Sequence, residues 1–367
     1  MSSSSLQLKK VINASGRMTI LGVSTLSERV LEEMAFGAQN YFEMDDLVNK
    51  AGKKVAEIIG TEDALITNSA SASIALAIAG VIGKDNVSLV DHLHDGSIDC
   101  DREVLVMKGH NVNYGAPIEV MIRLGGGEVK EVGYANECTV SQMEAAISEK
   151  TAAVIYVKSH HCVQKNMASL FEVSELCKNK KIPLLLDAAA EEDIDAYGEV
   201  ADLIILSGTK AIGGPTSGIL AGKGNFITYS KLHLKGIGRA MKVGKEQIFG
   251  LLQALEDYSH SGKTKEEQRD MIMPLMELDQ LPGVRVTIVA DEAGREICRA
   301  RVQIDDSLTN CHALDVVRQL KEGEDIAIYT RDYHANLGSF DIDPRPLLDG
   351  DINTITESVK NIVSGEA

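Results

Sequence analysis

Between residues 64 and 222, short apolar runs rich in β-branched residues alternate with longer stretches whose apolar residues fall three or four apart. Runs of the first kind suit strands buried on both faces, and the second spacing lays an apolar stripe along a helix. The pattern predicts strands over 64–67, 103–107, 152–157, 183–187 and 203–206, with helices over 71–82, 141–148 and 170–178. Strand and helix alternating in this way make an α/β fold, a mostly parallel sheet with crossover helices. The glycine-bordered apolar run 217–221 is expected to add one more strand.

After Gly244 the texture changes. A helix is predicted over 245–258, followed by a highly charged stretch at 262–270 and a strand over 284–290. Residues 295–304 alternate polar and apolar, as an antiparallel strand with one wet face does. A helix at 313–320, a strand at 326–330 and the segment 338–347 complete a smaller α+β C-terminal domain. A chain of 367 residues exceeds what one core ordinarily serves. The expected division is an N-terminal segment over 1–20, a large domain over 21–244 and a small domain over 245–367.

Charge narrows the function classes. With 54 acidic against 37 basic residues the formal net charge is −17, and a field of that sign repels polyanions. No nucleic-acid partner is expected. No apolar run approaches the roughly 18 residues a membrane span needs, and the serine-rich start lacks the order of a secretory signal. The expected setting is cytoplasmic, with no membrane. The six cysteines, Cys100, Cys138, Cys162, Cys177, Cys298 and Cys311, form no CxxC pair and read as reduced thiols. His160-His161-Cys162 offers metal-ligand types, but neighbours on an extended segment face opposite ways, and no metal is expected. Gly262-Lys263-Thr264 has only the tail of a phosphate loop, because Asp257 stands where the first glycine belongs.

Three stretches carry candidate chemistry. Asp187 closes Pro183-Leu184-Leu185-Leu186-Asp187, at the carboxyl end of a strand, where open α/β sheets hold their ligands. A carboxylate there can keep a pyridine nitrogen protonated and make the ring an electron sink; it can equally cap a following helix. Lys210 ends Ser207-Gly208-Thr209-Lys210, ahead of Ala211-Ile212-Gly213-Gly214-Pro215, whose glycines let a ligand lie close to the backbone. An enclosed lysine amine serves as nucleophile and then base, whereas a solvated loop lysine does neither. Thr67-Asn68-Ser69-Ala70-Ser71-Ala72-Ser73 lies between a strand and a helix. Unsatisfied backbone N–H groups and hydroxyls there suit a phosphate, and the same small residues also suit tight helix packing.

The order of phosphate turn, strand-end Asp and, 23 residues later, strand-end Lys is hard to obtain by accident. Together with it, Val11-Ile12-Asn13-Ala14-Ser15-Gly16, the lysine motif Ser207 to Pro215 and Arg239-Ala240-Met241-Lys242 resemble the bacterial selenocysteine-synthase group of fold-type-I pyridoxal enzymes. The resemblance runs over most of the chain, and the lysine motif is its most specific part. It implies an aspartate-aminotransferase-like large domain, pyridoxal 5′-phosphate as cofactor and a partner subunit, hence at least a homodimer. It implies Lys210 as the Schiff-base lysine, Asp187 as the pyridinium partner, and Ser69, Ala70, Ser71 and Ser207 as phosphate ligands. His110 falls in the segment where this fold often supplies an aromatic, and is the candidate to stack on the ring.

Within that group the chain looks most like the ammonia-lyases acting on D-glucosaminate 6-phosphate, a phosphorylated amino sugar acid. The synthases carry a tRNA-binding region ahead of the matching opening, whereas here the opening begins at Val11. A stretch from Asp91 to Cys100, with His92 and His94, looks inserted. The likeness implies removal of the α-proton from a 2-amino-3-hydroxy acid and loss of water, leaving a 2-keto-3-deoxy acid phosphate and ammonia. Arg345, in Phe340-Asp341-Ile342-Asp343-Pro344-Arg345-Pro346-Leu347, is either a grip for the α-carboxylate or a surface arginine in a turn. Arg17, Arg239 and Lys242 are candidates for the distal phosphate, since an acidic protein needs local positive charge to hold a dianion. A seryl-tRNA selenium or sulfur transferase, and a non-catalytic binding protein retaining the fold, are the other classes.

Overall fold

A computed structural model describes residues 6, 8–159, 161–258, 263–291, 296–309 and 311–365. Contacts divide the chain into a larger unit, Leu26–His260, and a smaller unit that joins Met1–Thr25 to Ser261–Ala367.

The chain opens with β1 (Lys10–Ala14), which belongs to the smaller unit. The larger unit begins with two amphipathic helices absent from the predicted set, α1 (Glu28–Gln39) and α2 (Met44–Ile59). Ser27 caps α1 by accepting the Val30 N–H, satisfying one donor that the helix start would otherwise leave open. There follow β2 (Asp63–Thr67), α3 (Ala70–Gly83), α4 (Ser88–His92), β3 (Glu103–Met107), α5 (Ile118–Leu124) and β4 (Glu128–Val132). The unit closes with α6 (Val140–Ala146), β5 (Thr151–Val157), α7 (Leu170–Lys180), β6 (Leu184–Asp187), β7 (Leu203–Ser207), β8 (Gly218–Gly222), α8 (Gly224–Leu232) and α9 (Lys245–Glu256).

These strands form one seven-stranded sheet in the order β2-β8-β7-β6-β5-β3-β4, in which β8 is antiparallel to both its neighbours and the other pairings are parallel. Its two faces feed two cores. Leu105, Val154, Tyr156, Leu186, Ile204 and Leu206 point into one, and Val104, Val106, Ile155, Leu185, Leu203 and Ile205 into the other. Side chains alternate along a strand, so an unbroken apolar run is what a two-sided core requires. Each fully buried Leu or Ile contributes roughly 1.5–3 kcal/mol. Helix α3 is buried from Ala72 to Gly83, which explains why it is apolar all round.

The smaller unit continues with α10 (Lys265–Ile272), β9 (Val284–Ala290), β10 (Cys298–Ile304), α11 (Ala313–Glu322), β11 (Ile326–Thr330), β12 (Ser339–Ile342) and α12 (Asp351–Ser364). Strands β12, β10 and β9 make an antiparallel sheet, while β1 pairs in parallel with β11. The charged 262–270 stretch forms α10 from Lys265, with Thr264 and Glu267 closing a capping box. The strand expected over 295–304 starts at Cys298; Arg295 lies outside the described residues.

Two expected boundaries move. Helix α9 packs on α1 and α2, so the larger unit runs past residue 244 to His260. The opening segment is no separate piece either, because β1 takes its backbone partners from β11 and ends in the same core as β10 and α11. Among the described residues, no helix is long and apolar enough to cross a membrane.

Candidate active site

Asp187 is the last residue of β6 and is 7% exposed. Its Oδ1 accepts the Ala189 N–H at 3.1 Å. No helix starts there, so the carboxylate holds a turn and caps nothing. Burial pushes its carboxyl above the ordinary carboxylate value, opposed by the Ala189 N–H and by the charge of Lys210. Lys210 itself lies half-buried in the turn after β7, the strand next to β6. That its charge is felt at Asp187 puts the amine and the acid at one end of the sheet.

The Thr67–Ser73 turn is built around close approaches. Ser69 caps α3, its hydroxyl accepting the Ala72 N–H at 3.1 Å. The Thr67 hydroxyl donates to the Ser69 carbonyl at 2.8 Å and lies 2.7 Å from the Ser73 Oγ. The N–H groups of Ala70 and Ser71 fall in the first turn, where a helix offers no internal acceptor. Gly218, the first residue of β8, pairs with Thr67 on one side and Ser207 on the other. A Cβ on Gly218 would come within 2.2 Å of the Ser69 carbonyl carbon. The bare glycine thus lets β8 draw the helix start and Ser207 to one place. The Ser207 Oγ lies 3.0 Å from the Thr209 Oγ1.

His110 follows β3 in a single 3₁₀ turn and is fully buried. Its Nδ1 accepts the Val157 N–H at 3.4 Å, and its ring stands edge-on to Tyr156, 4.7 Å between centroids. Burial pushes its pKa down to about 4, against a weaker opposing backbone contact at Val163, so the ring is neutral at physiological pH. Among the described residues its Nε2 makes no hydrogen bond.

Sequence reasoning overlooks Tyr114. The Ser71 hydroxyl points at its Oη from 3.4 Å, and burial, together with the charge of Asp187, raises its pKa. A lone tyrosine in the polar turn Asn113-Tyr114-Gly115 was the available signal.

The four basic candidates divide between the units. Arg239 and Lys242 lie on the larger unit, exposed, and make no ion pair among the described residues. Arg17 and Arg345 belong to the smaller one. There Arg345 grips Asp343 through Nε at 2.9 Å and a terminal nitrogen at 2.8 Å, while Arg299 Nε reaches the same carboxylate at 3.0 Å. Burial alone would raise Asp343; the two guanidiniums hold it down at about 2. Arg345 is therefore oriented and already paired within its own unit.

His161 is exposed and Cys162 buried; His160 lies outside the described residues. Among the described residues no group of three His, Cys, Asp or Glu side chains could hold a metal, and all six cysteines are free thiols. In the 91–100 stretch, His92 Nδ1 meets Asp95 Oδ2 at 3.1 Å in an exposed pair.

As a donor set, a buried carboxylate, an amine at the next strand end and a hydroxyl-lined helix N-terminus suit one ligand chemistry. It combines a cationic ring nitrogen, a carbonyl and a phosphate, which is the chemistry of pyridoxal phosphate.

Comparison with known proteins agrees in kind. The profile of the SelA family, L-seryl-tRNA selenium transferase, matches residues 11–283. D-Glucosaminate-6-phosphate ammonia lyase of Salmonella typhimurium (strain 14028s / SGSC 2262) is 44% identical over 363 residues, 99% of this chain and 98% of that protein. A solved D-glucosaminate-6-phosphate ammonia-lyase structure superposes with a TM-score of 0.92 at 43% identity, covering 99% of this chain and 98% of the other. Aspartate aminotransferase of Thermotoga maritima shares the fold, with a TM-score of 0.54 at 16% identity over 97% and 92% of the two chains. With its profile running from β1 to the edge of β9, and with an aspartate-aminotransferase-like sheet beneath it, this chain belongs to the SelA family, a group whose fold-type-I members imply pyridoxal phosphate.

Proposed function

We propose that this chain is a pyridoxal-phosphate-dependent ammonia-lyase. It converts a 2-amino-3-hydroxy sugar acid phosphate of the D-glucosaminate 6-phosphate kind to a 2-keto-3-deoxy acid phosphate and ammonia. The observation that carries this reading is the end-to-end likeness, 44% over 99% of the chain, to the lyase of that name. The selenium-transferase reading is disfavoured by the net charge of −17, since a tRNA partner needs a basic face.

Pyridoxal phosphate, when bound, supplies an electron sink that makes the Cα proton of an amino acid removable. Asp187 holds a proton at the ring nitrogen, because a buried carboxylate gains most from a cation set against it. Lys210 would hold the cofactor at Nζ and, once displaced by the incoming amino group, would take the Cα proton there as a free amine. Ser69, Ala70, Ser71 and Ser207 bind the phosphate at the start of α3. His110, expected to stack on the ring, is fully buried against Val157 and Tyr156 and presents no surface to a ligand, so its proposed part is to support the end of β3 without adding charge. Arg239 and Lys242, exposed on the larger unit, are proposed for the distal phosphate. The protein works as a homodimer or larger homo-oligomer in the cytoplasm, with no nucleic-acid partner.

Incubation of the purified protein with pyridoxal phosphate and D-glucosaminate 6-phosphate should release ammonia and a 2-keto acid in equal amounts, followed by mass. Formation of a selenium or sulfur product on seryl-tRNA, with no ammonia from the sugar acid, would overturn the proposal.

A further inference from the structure

The turn that carries Tyr114 is built to hold one side chain. Tyr114 N–H donates to the Ala116 carbonyl at 3.3 Å, Gly115 N–H to Asn113 Oδ1 at 2.9 Å, and Ile118 N–H to the Val112 carbonyl at 3.1 Å. Asn113, Gly115 and Pro117 are exposed, whereas Tyr114 turns inward and packs on the apolar core beneath α3. Its hydroxyl then stands 3.4 Å from the Ser71 Oγ, in the first turn of that helix.

That separation is informative. Two hydroxyls bonded only to each other settle near about 2.7–2.8 Å, so at 3.4 Å both keep hydrogen-bonding capacity for a third group. Burial keeps the phenol protonated well above neutral pH, and the charge of Asp187 acts in the same direction. A phenol that keeps its proton donates to an anion; a phenolate would repel one.

We propose, on the basis of the cofactor reading above, that Tyr114 is a positioning residue of the anion cradle, its phenol joining the Ser71 hydroxyl in donating to the phosphate of the bound cofactor. The role is distinct from ring stacking, since it lies in the hydroxyl and not in the aromatic face. By fixing the phosphate end, Tyr114 sets how the rest of the ligand lies between Asp187 and Lys210.

The test uses two probes, pyridoxal 5′-phosphate and pyridoxal, which lacks the phosphate. Both are titrated into the full-length protein after removal of its cofactor, as wild type and as Tyr114→Phe, with binding read by absorbance. The substitution should weaken pyridoxal phosphate binding roughly tenfold to a hundredfold, the effect of one hydrogen bond to a charged group, and leave pyridoxal unchanged. The phosphorus resonance of the bound cofactor should move as well. Unchanged affinity for both probes overturns the proposal, and so does an equal loss for both, which marks a scaffold role. If wild type binds neither probe and Lys210 takes no borohydride-stable label, the cofactor reading itself has failed and Tyr114 falls with it.

Discussion

The backbone N–H of Lys158 donates to the carbonyl of Asp187 at 2.8 Å, while the Lys158 ammonium lies 3.0 Å from Glu191 Oε2 and 2.7 Å from the Tyr197 hydroxyl. The ladder between β5 and β6 thus runs to the last residue, and the Lys158 charge is taken up by Glu191. Positive charge acts on the Asp187 carboxylate from Lys210 instead. Asp187 is thus a buried acid whose ionised form is favoured by Lys210 and opposed by burial.

Asp187→Asn tests that arrangement in both directions. Burial raises the folded-state pKa, so the stability linked to this group is complete below the unfolded value of about 3.9 and is lost as pH rises through the folded value. At neutral pH without cofactor, the Asn variant should therefore melt higher than wild type, while kcat falls on the order of a hundredfold or more. Calorimetry and steady-state kinetics on one preparation decide it. Near-native turnover would reduce Asp187 to a turn residue.

Lys210→Ala should remove the borohydride-stable cofactor adduct found by peptide mapping and lower kcat by roughly 10²- to 10⁴-fold or more. Cofactor should still bind, more weakly, through the turn at Ser69. Recovery of the wild-type label on Lys158, Lys165 or Lys223 would show that another amine does the work.

His110 gives a pH signature. The unfolded chain takes up this proton near 6.5 and the folded one only near about 4. Stability from the neutral ring is complete above about pH 6.5 and is lost on acidification toward pH 4, by up to roughly 3 kcal/mol. Buried His233, whose pKa is also lowered by burial, adds to the same slope. In urea unfolding at pH 7 and pH 5, His110→Asn should lose less stability on acidification than wild type. An unchanged difference would remove His110 from the acid response.

Gly218→Ala probes the helix start. The added methyl meets the Ser69 carbonyl carbon at 2.2 Å, so backbone must shift, at a cost of about 1–3 kcal/mol. Affinity for pyridoxal phosphate should drop together with the urea midpoint. Retention of both would mean that the approach of β8 to the turn does not shape the cradle.

The parallel strands, their order of chemistry and the places of Asp187 and Lys210 are legible in the sequence for one reason: where an apolar run stops, a two-sided strand stops, and the next polar residue lies at the ligand edge. Strand β4, Glu-Val-Lys-Glu-Val at the edge of the sheet, escapes because it has a neighbouring strand on one edge only, Glu128 and Glu131 stay exposed, and its charges break the run. The pairing of β1 with β11 has no local signal, since backbone hydrogen bonds between distant segments are indifferent to side-chain pattern. Tyr114 meets Ser71 across 43 residues, and Asp343, gripped by Arg345 two places on, is reached across 44 residues by Arg299. Residue type and spacing state what each group can do; which groups meet depends on how far apart in the chain the fold brings its partners from.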